Sequence, residues 1–260
     1  MNAVRHCLPV IVLAAAVLAS GSVHAQSLLD TCHASSSYDV TITDDGVRFE
    51  RAQPAPRRLY LHDGRLRVDG KPIALDAEDS DRVTVIENIV RDMEPKVKTI
   101  ANRAVDLAAQ AVREQAAVSA PQAAANGELS TRLDAVTGDL KARIARSHSS
   151  RDWHGPAFRK YTRQLAARVV PVLASDMLQQ AVAKALAGNL DTAAQLRQRA
   201  THMATALRTR IRKKLQVLRP QVQTLCPSVQ RIDQIESGIH TPLPGNVHID
   251  VIDMATGKPQ

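Results

Sequence analysis

Apolar and polar residues alternate from Tyr38 onward: Tyr38, Val40 and Ile42 on one parity, a break at Asp44-Asp45-Gly46, then Val47 and Phe49. A period of two interrupted by an Asp-Gly pair predicts a β-hairpin. After a connection holding Pro54 and Pro56, three more short runs follow: Leu59-Tyr60-Leu61, Leu66-Arg67-Val68 and Ile73-Ala74-Leu75. Asp63-Gly64 and Asp69-Gly70 separate them, so residues 26–75 read as an antiparallel meander of four or five strands. A sheet this small is marginal alone and needs a helix against its apolar face.

The period changes at Asp76. Asp79-Ser80-Asp81 supplies residues that cap helix N-termini, and Ile86, Val90, Met93, Val97, Ile100, Ala104, Leu107 and Ala111 follow at steps of three and four. That spacing is one face of an α-helix, with a kink expected ahead of Pro95 because proline removes a backbone donor. Residues 122–127 read as an Ala-rich linker or a frayed end. A second helix, about 128–147, carries Leu129, Leu133, Val136, Leu140 and Ile144; a third starts at Pro156 and bends at Pro171. The last long helix is predicted over residues 189–225, with Leu196, Ala200, Met203, Leu207, Ile211, Leu215, Leu218, Val222 and Leu225 as its stripe, running into Cys226-Pro227. A short helix to Ser237 can follow. Val247, Ile249 and Val251 alternate once more, so the tail either adds a strand to the sheet, the preferred reading, or is disordered.

The expected fold class is α+β: a small N-terminal antiparallel β-meander packed on a bundle of long, kinked α-helices. Residues 76–238 form the bundle, as one domain with the sheet, and 239–260 form the tail. Aromatics make up only 2% of the chain, which suits closely packed Ala, Val, Leu and Ile helices and argues against a large aromatic-lined pocket.

Residues 1–25 are set apart as a signal peptide. Arg5 and His6 precede an apolar run at 8–19, and Ser22-Val23-His24-Ala25 places small residues for cleavage before Gln26. The run is short for a membrane span, and no later stretch is long and apolar enough to be one. The expectation is an exported, periplasmic protein with no transmembrane span after cleavage. Removing the signal takes Cys7 and leaves Cys32 and Cys226. Two cysteines in an exported protein most often pair; two free thiols and a redox pair are the alternatives. In the chain-entropy view a loop of this length is stabilised by about 5 kcal/mol.

Charge sharpens one element. The chain carries +8, and the segment between Asp191 and Leu225 holds eight bases against one acid. With Arg5 removed, that segment accounts for the whole excess. Arg208, Arg210, Arg212, Lys213, Lys214 and Arg219 fall within twelve residues. Such a face either solvates the exterior of a bundle or attracts a polyanion. In an envelope compartment the candidates are lipopolysaccharide, anionic lipid or an acidic protein. Nucleic acid fits the charge, conflicts with the export signal and finds no stacking aromatics on this helix.

Catalytic patterns are missing from the sequence: no G-x-S-x-G, H-E-x-x-H, phosphate-binding loop or dinucleotide fingerprint occurs. No cofactor and no metal is expected. The polar stretch 147–155 collects Ser147, His148, Ser149, Ser150, Asp152, Trp153 and His154. It reads as a solvated loop with a packed Trp; a hydrolase site is the rival reading, although such sets are normally assembled from separate elements.

Several of these residues also carry a resemblance: Cys32, Tyr38-x-Val40, the run from Leu66 to Leu75, Pro95 with Val97 and Ile100-Ala101, Ala104-Val105-Asp106-x-Ala108, Leu186-Ala187-Gly188-Asn189-Leu190, and Cys226-Pro227. In this order, over about residues 30–236, they resemble the YggN-like family of exported proteobacterial proteins, defined by a domain of unknown function. The resemblance implies a periplasmic setting and transfers no activity, cofactor or site residue. The resulting expectation is a non-enzymatic binding or scaffolding protein of the cell envelope, with the unrecognised hydrolase and a chaperone-like apolar cradle as alternatives. Oligomeric state is not readable.

Overall fold

The computed structural model describes residues 31–186 and 192–254. The predicted signal peptide and the predicted start of the last long helix at residue 189 lie outside them. The described chain is α+β. Its strands are β1 (Ala34–Ser35), β2 (Asp39–Thr43), β3 (Gly46–Glu50), β4 (Arg58–His62), β5 (Arg65–Val68), β6 (Lys71–Ile73) and β7 (Asp253–Met254). Its helices are α1 (Ala77–Ser119), α2 (Pro121–Ala125), α3 (Glu128–Arg146), α4 (Gly155–Leu186), α5 (Thr192–Leu215), α6 (Arg219–Gln223) and α7 (Cys226–Glu236). Two compact units divide the described residues, one made of Ala101–Ala145 and Pro156–Leu218, the other of the chain from Thr31 to Ile100, Arg146–Gly155 and the chain from Arg219 to Met254.

The second unit contains the meander. Strands β2 to β6 pair antiparallel in sequence order. The alternation seen in the sequence sets the register, because a one-residue slip would turn every apolar side chain outward. Val47, Phe49, Leu59, Leu61, Leu66 and Val68 face a common core with Val83, Ile86 and Val90 of α1 and Ile232 and Ile235 of α7. Two turns use the left-handed conformation that Asp-Gly pairs favour: Asp63 and Gly64 have φ of 46° and 72°, Asp69 and Gly70 of 49° and 86°. Gly46 is required for a different reason. A Cβ there would lie 2.4 Å from the Leu61 carbonyl oxygen and 2.9 Å from the Tyr60 ring.

The start of α1 corrects the predicted cap. Asp76, not the Asp79 cluster, accepts the orphan amide of Asp79 at 2.8 Å, as an N-cap does. Asp79 itself is fully buried inside the first turn. Pro95 and Pro171 lie within α1 and α4 without ending either helix. Val97, placed on the apolar stripe, is 46% exposed.

The other unit is helical. Ala116, Ala120, Ala123, Leu129, Val172 and Leu173 form its small-residue core. The expected linker after Pro121 is instead the short helix α2. Proline at its N-terminus costs no hydrogen bond, and the buried Asp176 carboxylate accepts the Ala123 amide at 3.0 Å.

The C-terminal part holds two further corrections. The predicted helix over 189–225 is not continuous: α5 ends at Leu215, Gln216–Leu218 form a 3-10 turn, and α6 starts at Arg219. Pro220 explains the break, since it offers no amide to the Gln216 carbonyl and its ring crowds the preceding turn. The tail is ordered through Met254, but it does not extend the five-stranded sheet. Ile249 and Val251 are buried in the sheet's core, and the strand comes later, as β7 pairs antiparallel with β1.

Candidate functional site

The predicted basic helix is α5. Its six candidate cations separate into groups. Arg210 and Lys214, one turn apart, both reach Glu114 of α1, at 3.3 and 2.8 Å, and Arg210 also donates to the Gln115 side-chain oxygen at 3.3 Å. The hydrogen bond from Lys214 holds the Glu114 carboxyl below its ordinary value; partial burial opposes this, and the Arg210 guanidinium adds to it. Arg208, Arg212 and Lys213 are exposed, and no acidic side chain among the described residues pairs with them. Arg219 is likewise exposed but lies past the 3-10 turn, on α6 and in the other unit. The break at Pro220 sets Arg219 apart and Glu114 occupies Arg210 and Lys214, so of the six candidates three stand on α5 without an acidic partner among the described residues. The i, i+4 spacing of Arg210 and Lys214 was visible in the sequence; that Glu114 lay opposite was not.

Cys32 and Cys226 are joined by a disulfide. Cys226 is the first residue of α7. Cys32 and Ala34 pack with Val229 in a small core beside the β1–β7 pair.

Residues 147–155 are not a free loop. Ile42 donates its amide to the His148 carbonyl at 2.8 Å, and the Thr41 and Ser149 hydroxyls lie 2.9 Å apart. The segment covers the outer edge of β2, where an exposed strand would leave backbone groups unpaired. Asp39 holds it further: it accepts the Ser150 hydroxyl at 3.0 Å, faces His154 Nε2 at 2.6 Å and takes the Arg151 guanidinium at 3.3 Å. Burial works against ionisation of Asp39, but these bonds outweigh it and hold its carboxyl below the usual range. His148 Nδ1 lies 2.8 Å from Glu94 of α1. Trp153 donates its indole N–H to Ser147 at 2.9 Å, and Ser147 donates to Asp152 at 2.9 Å. Both histidines therefore meet a carboxylate from a distant element. The order, however, is not that of a nucleophile–base–acid relay: Ser150 and His154 converge on the same Asp39, so the histidine does not stand between hydroxyl and acid.

Two carboxylates escaped the sequence reading. Asp79 accepts the Thr241 hydroxyl and amide at 2.6 and 2.8 Å, the His240 amide and the Arg82 guanidinium. Burial alone would raise its pKa, but these donors bring it down to about 2. Glu236, also buried, accepts the amides of Val251 and Ile252 at 2.9 and 3.0 Å. Here burial wins over those bonds, with Asp250 and Asp233 adding to it, and the pKa rises to about 8. An acid on the apolar face of α7, beside Val229, Ile232 and Ile235, was the available signal.

His62, Asp63 and Glu87 place ligand-type atoms within 4.8 Å of one another. Both Glu87 oxygens are already engaged, one by Arg91 at 2.8 Å and the other by the Asp63 amide at 3.0 Å. A cation there would compete with a guanidinium, so the cluster serves chiefly to fasten the β4–β5 turn to α1.

Among the described residues no helix is long and apolar enough to cross a membrane. Residues 32–252 match the family described as protein of unknown function (DUF2884), and the chain belongs to that family. No curated protein and no solved structure matches it.

Proposed function

We propose that this DUF2884 protein is an exported, periplasmic, non-enzymatic binding or scaffolding protein of the cell envelope, and that α5 engages an anionic partner there. The observation that supports this reading is the contrast within one helix. Arg210 and Lys214 are occupied by Glu114, while Arg208, Arg212 and Lys213 stand exposed with no acidic counterpart among the described residues. Exposed cations without intramolecular partners are available for intermolecular ones, and their attraction is screened by salt. Lipopolysaccharide phosphates, anionic lipid and an acidic protein share the required chemistry.

The test is crosslinking in the native envelope, followed by pull-down at low and high salt, with the wild type and Arg208→Glu/Arg212→Glu/Lys213→Glu. A partner captured by the wild type, released by salt and lost in the variant supports the reading. Equal capture by the variant makes α5 a solvating face only.

A chaperone-like apolar surface is a second reading. Val118 and Val182 in the helical unit are 73% and 50% exposed, which favours a place for apolar segments. Suppression of aggregation of an unfolded client, abolished by Val118→Ser/Val182→Ser, would distinguish it.

A further inference from the structure

We propose that the outward face of the five-stranded sheet is a docking surface for an anionic phospholipid bilayer. The register puts Thr41, Arg48, Tyr60, Arg67 and Pro72 in one row across β2 to β6. Direct cross-strand neighbours project from the same face, so two arginines flank one tyrosine. Arg65, opposite His62, lies on the same face two residues along β5. Arg65 and Arg67 are exposed and Arg48 half-buried, and no acidic side chain among the described residues pairs with any of the three.

The adjacent row shows that this is not a general property of the sheet. There Arg58 is held by Glu50 at 2.9 Å, and Asp39 and Glu50 are both reached by Arg151. One row is internally compensated and the next is left cationic. Nor does the cationic row follow from overall charge. The unit that contains the sheet has more Asp and Glu than Lys and Arg, so the three unpaired arginines of this face are a local concentration of positive charge.

The occupant is argued from shape and chemistry. The row crosses a sheet with strands about 4.8 Å apart, which places Arg48 and Arg67, two strands apart, roughly 10 Å from each other along the sheet. Guanidinium groups are weakly hydrated and bind phosphate oxygens through paired donors. Tyr60 is fixed between them: its hydroxyl donates to the Asp45 carbonyl at 2.5 Å and its ring covers Gly46. A tyrosine with an apolar ring and a polar tip suits the headgroup layer. This surface lies in a different unit from α5 and does not depend on the reading of α5 given above.

The experiment is flotation of the purified full chain with vesicles of phosphatidylcholine alone or mixed with phosphatidylglycerol. The wild type is expected to float with the mixed vesicles, less so at high salt, and not with phosphatidylcholine. At about fivefold per arginine near an anionic surface, Arg48→Gln/Arg67→Gln should weaken partitioning about 25-fold. Arg65→Gln/Arg67→Gln, on the exposed β5 alone, should do the same if the first variant is unstable. Arg208→Gln/Arg212→Gln/Lys213→Gln measures any contribution of α5 separately, and adding Arg48→Gln/Arg67→Gln to it should weaken partitioning by the same further factor. The proposal is overturned by a wild type that ignores phosphatidylglycerol, by equal binding of both sheet variants, by loss in the α5 variant alone, or by binding to soluble polyphosphate without binding to vesicles.

Discussion

The buried carboxylate of Asp79, on the first turn of α1, receives both the hydroxyl and the amide of Thr241, 162 positions further along the chain. One short side chain thereby fastens the entry to the helices to the start of the C-terminal tail. Arg82 supplies the compensating cation at 2.9 Å. Replacing Asp79 with Asn keeps the volume but removes the charge, and presents an amide N–H₂ where donors already point. Hydrogen bonds to charged groups contribute about 1.5–3 kcal/mol each, so Asp79→Asn should lower stability by roughly 3 kcal/mol in urea unfolding. The wild type should also lose stability in acid: Asp79 has a depressed folded pKa, its contribution is present above the unfolded value, and it fades as pH falls toward about 2.

Glu236 has the opposite sign. Its ordinary value is 4.5 and its folded value about 8. Between these the unfolded chain is ionised while the folded protein retains the proton, so stability declines as pH rises through that window and levels off above it. Glu236→Gln is neutral in both states. Thermal midpoints measured from pH 5 to pH 9 should show a decline in the wild type with rising pH that the variant lacks; parallel profiles would contradict the assignment.

Glu114 restrains two of the α5 cations. Glu114→Gln should release Arg210 and Lys214, so that the protein elutes from a heparin column at higher salt while its thermal midpoint stays put. Elution at unchanged salt would mean that the pair contributes nothing to the accessible charge.

Trp153 is the only tryptophan, and it reports on the segment that closes the β2 edge. Asp39→Asn weakens the contacts to Ser150, Arg151 and His154 together. The expected result is a red-shifted Trp153 emission with far-UV circular dichroism retained. An unshifted spectrum would show that the backbone pairing at Ile42 and Thr41 suffices.

Non-reducing peptide mapping of the folded protein should recover a single Cys32–Cys226 linked peptide. Cys32→Ser/Cys226→Ser should cost about 2–5 kcal/mol. Two free thiols in the folded protein would refute the pairing.

What the sequence disclosed follows from which forces are local. The alternation from Tyr38 to Leu75 and the Asp-Gly turns specify the meander almost strand by strand, because period and turn chemistry act over a few residues. The stripe of α3 was equally legible, and that of α1 was so except at Val97, which is exposed. Pro220 was a local signal that the apolar stripe of the last helix concealed, since Leu215, Leu218 and Val222 keep helical spacing across a break. The partners of Asp79, Glu236 and Glu114 were illegible for another reason. Each depends on a donor many residues away, and no periodicity records which distant backbone amide will face a carboxylate. The same holds for the 147–155 segment, whose composition suggests a solvated loop and whose backbone pairs with β2. The candidate cations were all visible in the sequence; which of them stay unpaired was not.

The sheet is completed by residues from the far end of the chain. Ile232, Ile235, Ile239, Ile249 and Val251 fill the core over strands that were finished by Ile73, and Cys226 and Met254 return to Cys32 and Ala34. Loop closure over such separations must precede the contacts that reward it. During synthesis the meander meets Val83, Ile86 and Val90 of α1 early, but its hydrophobic core is complete only once residues 232–251 have been made.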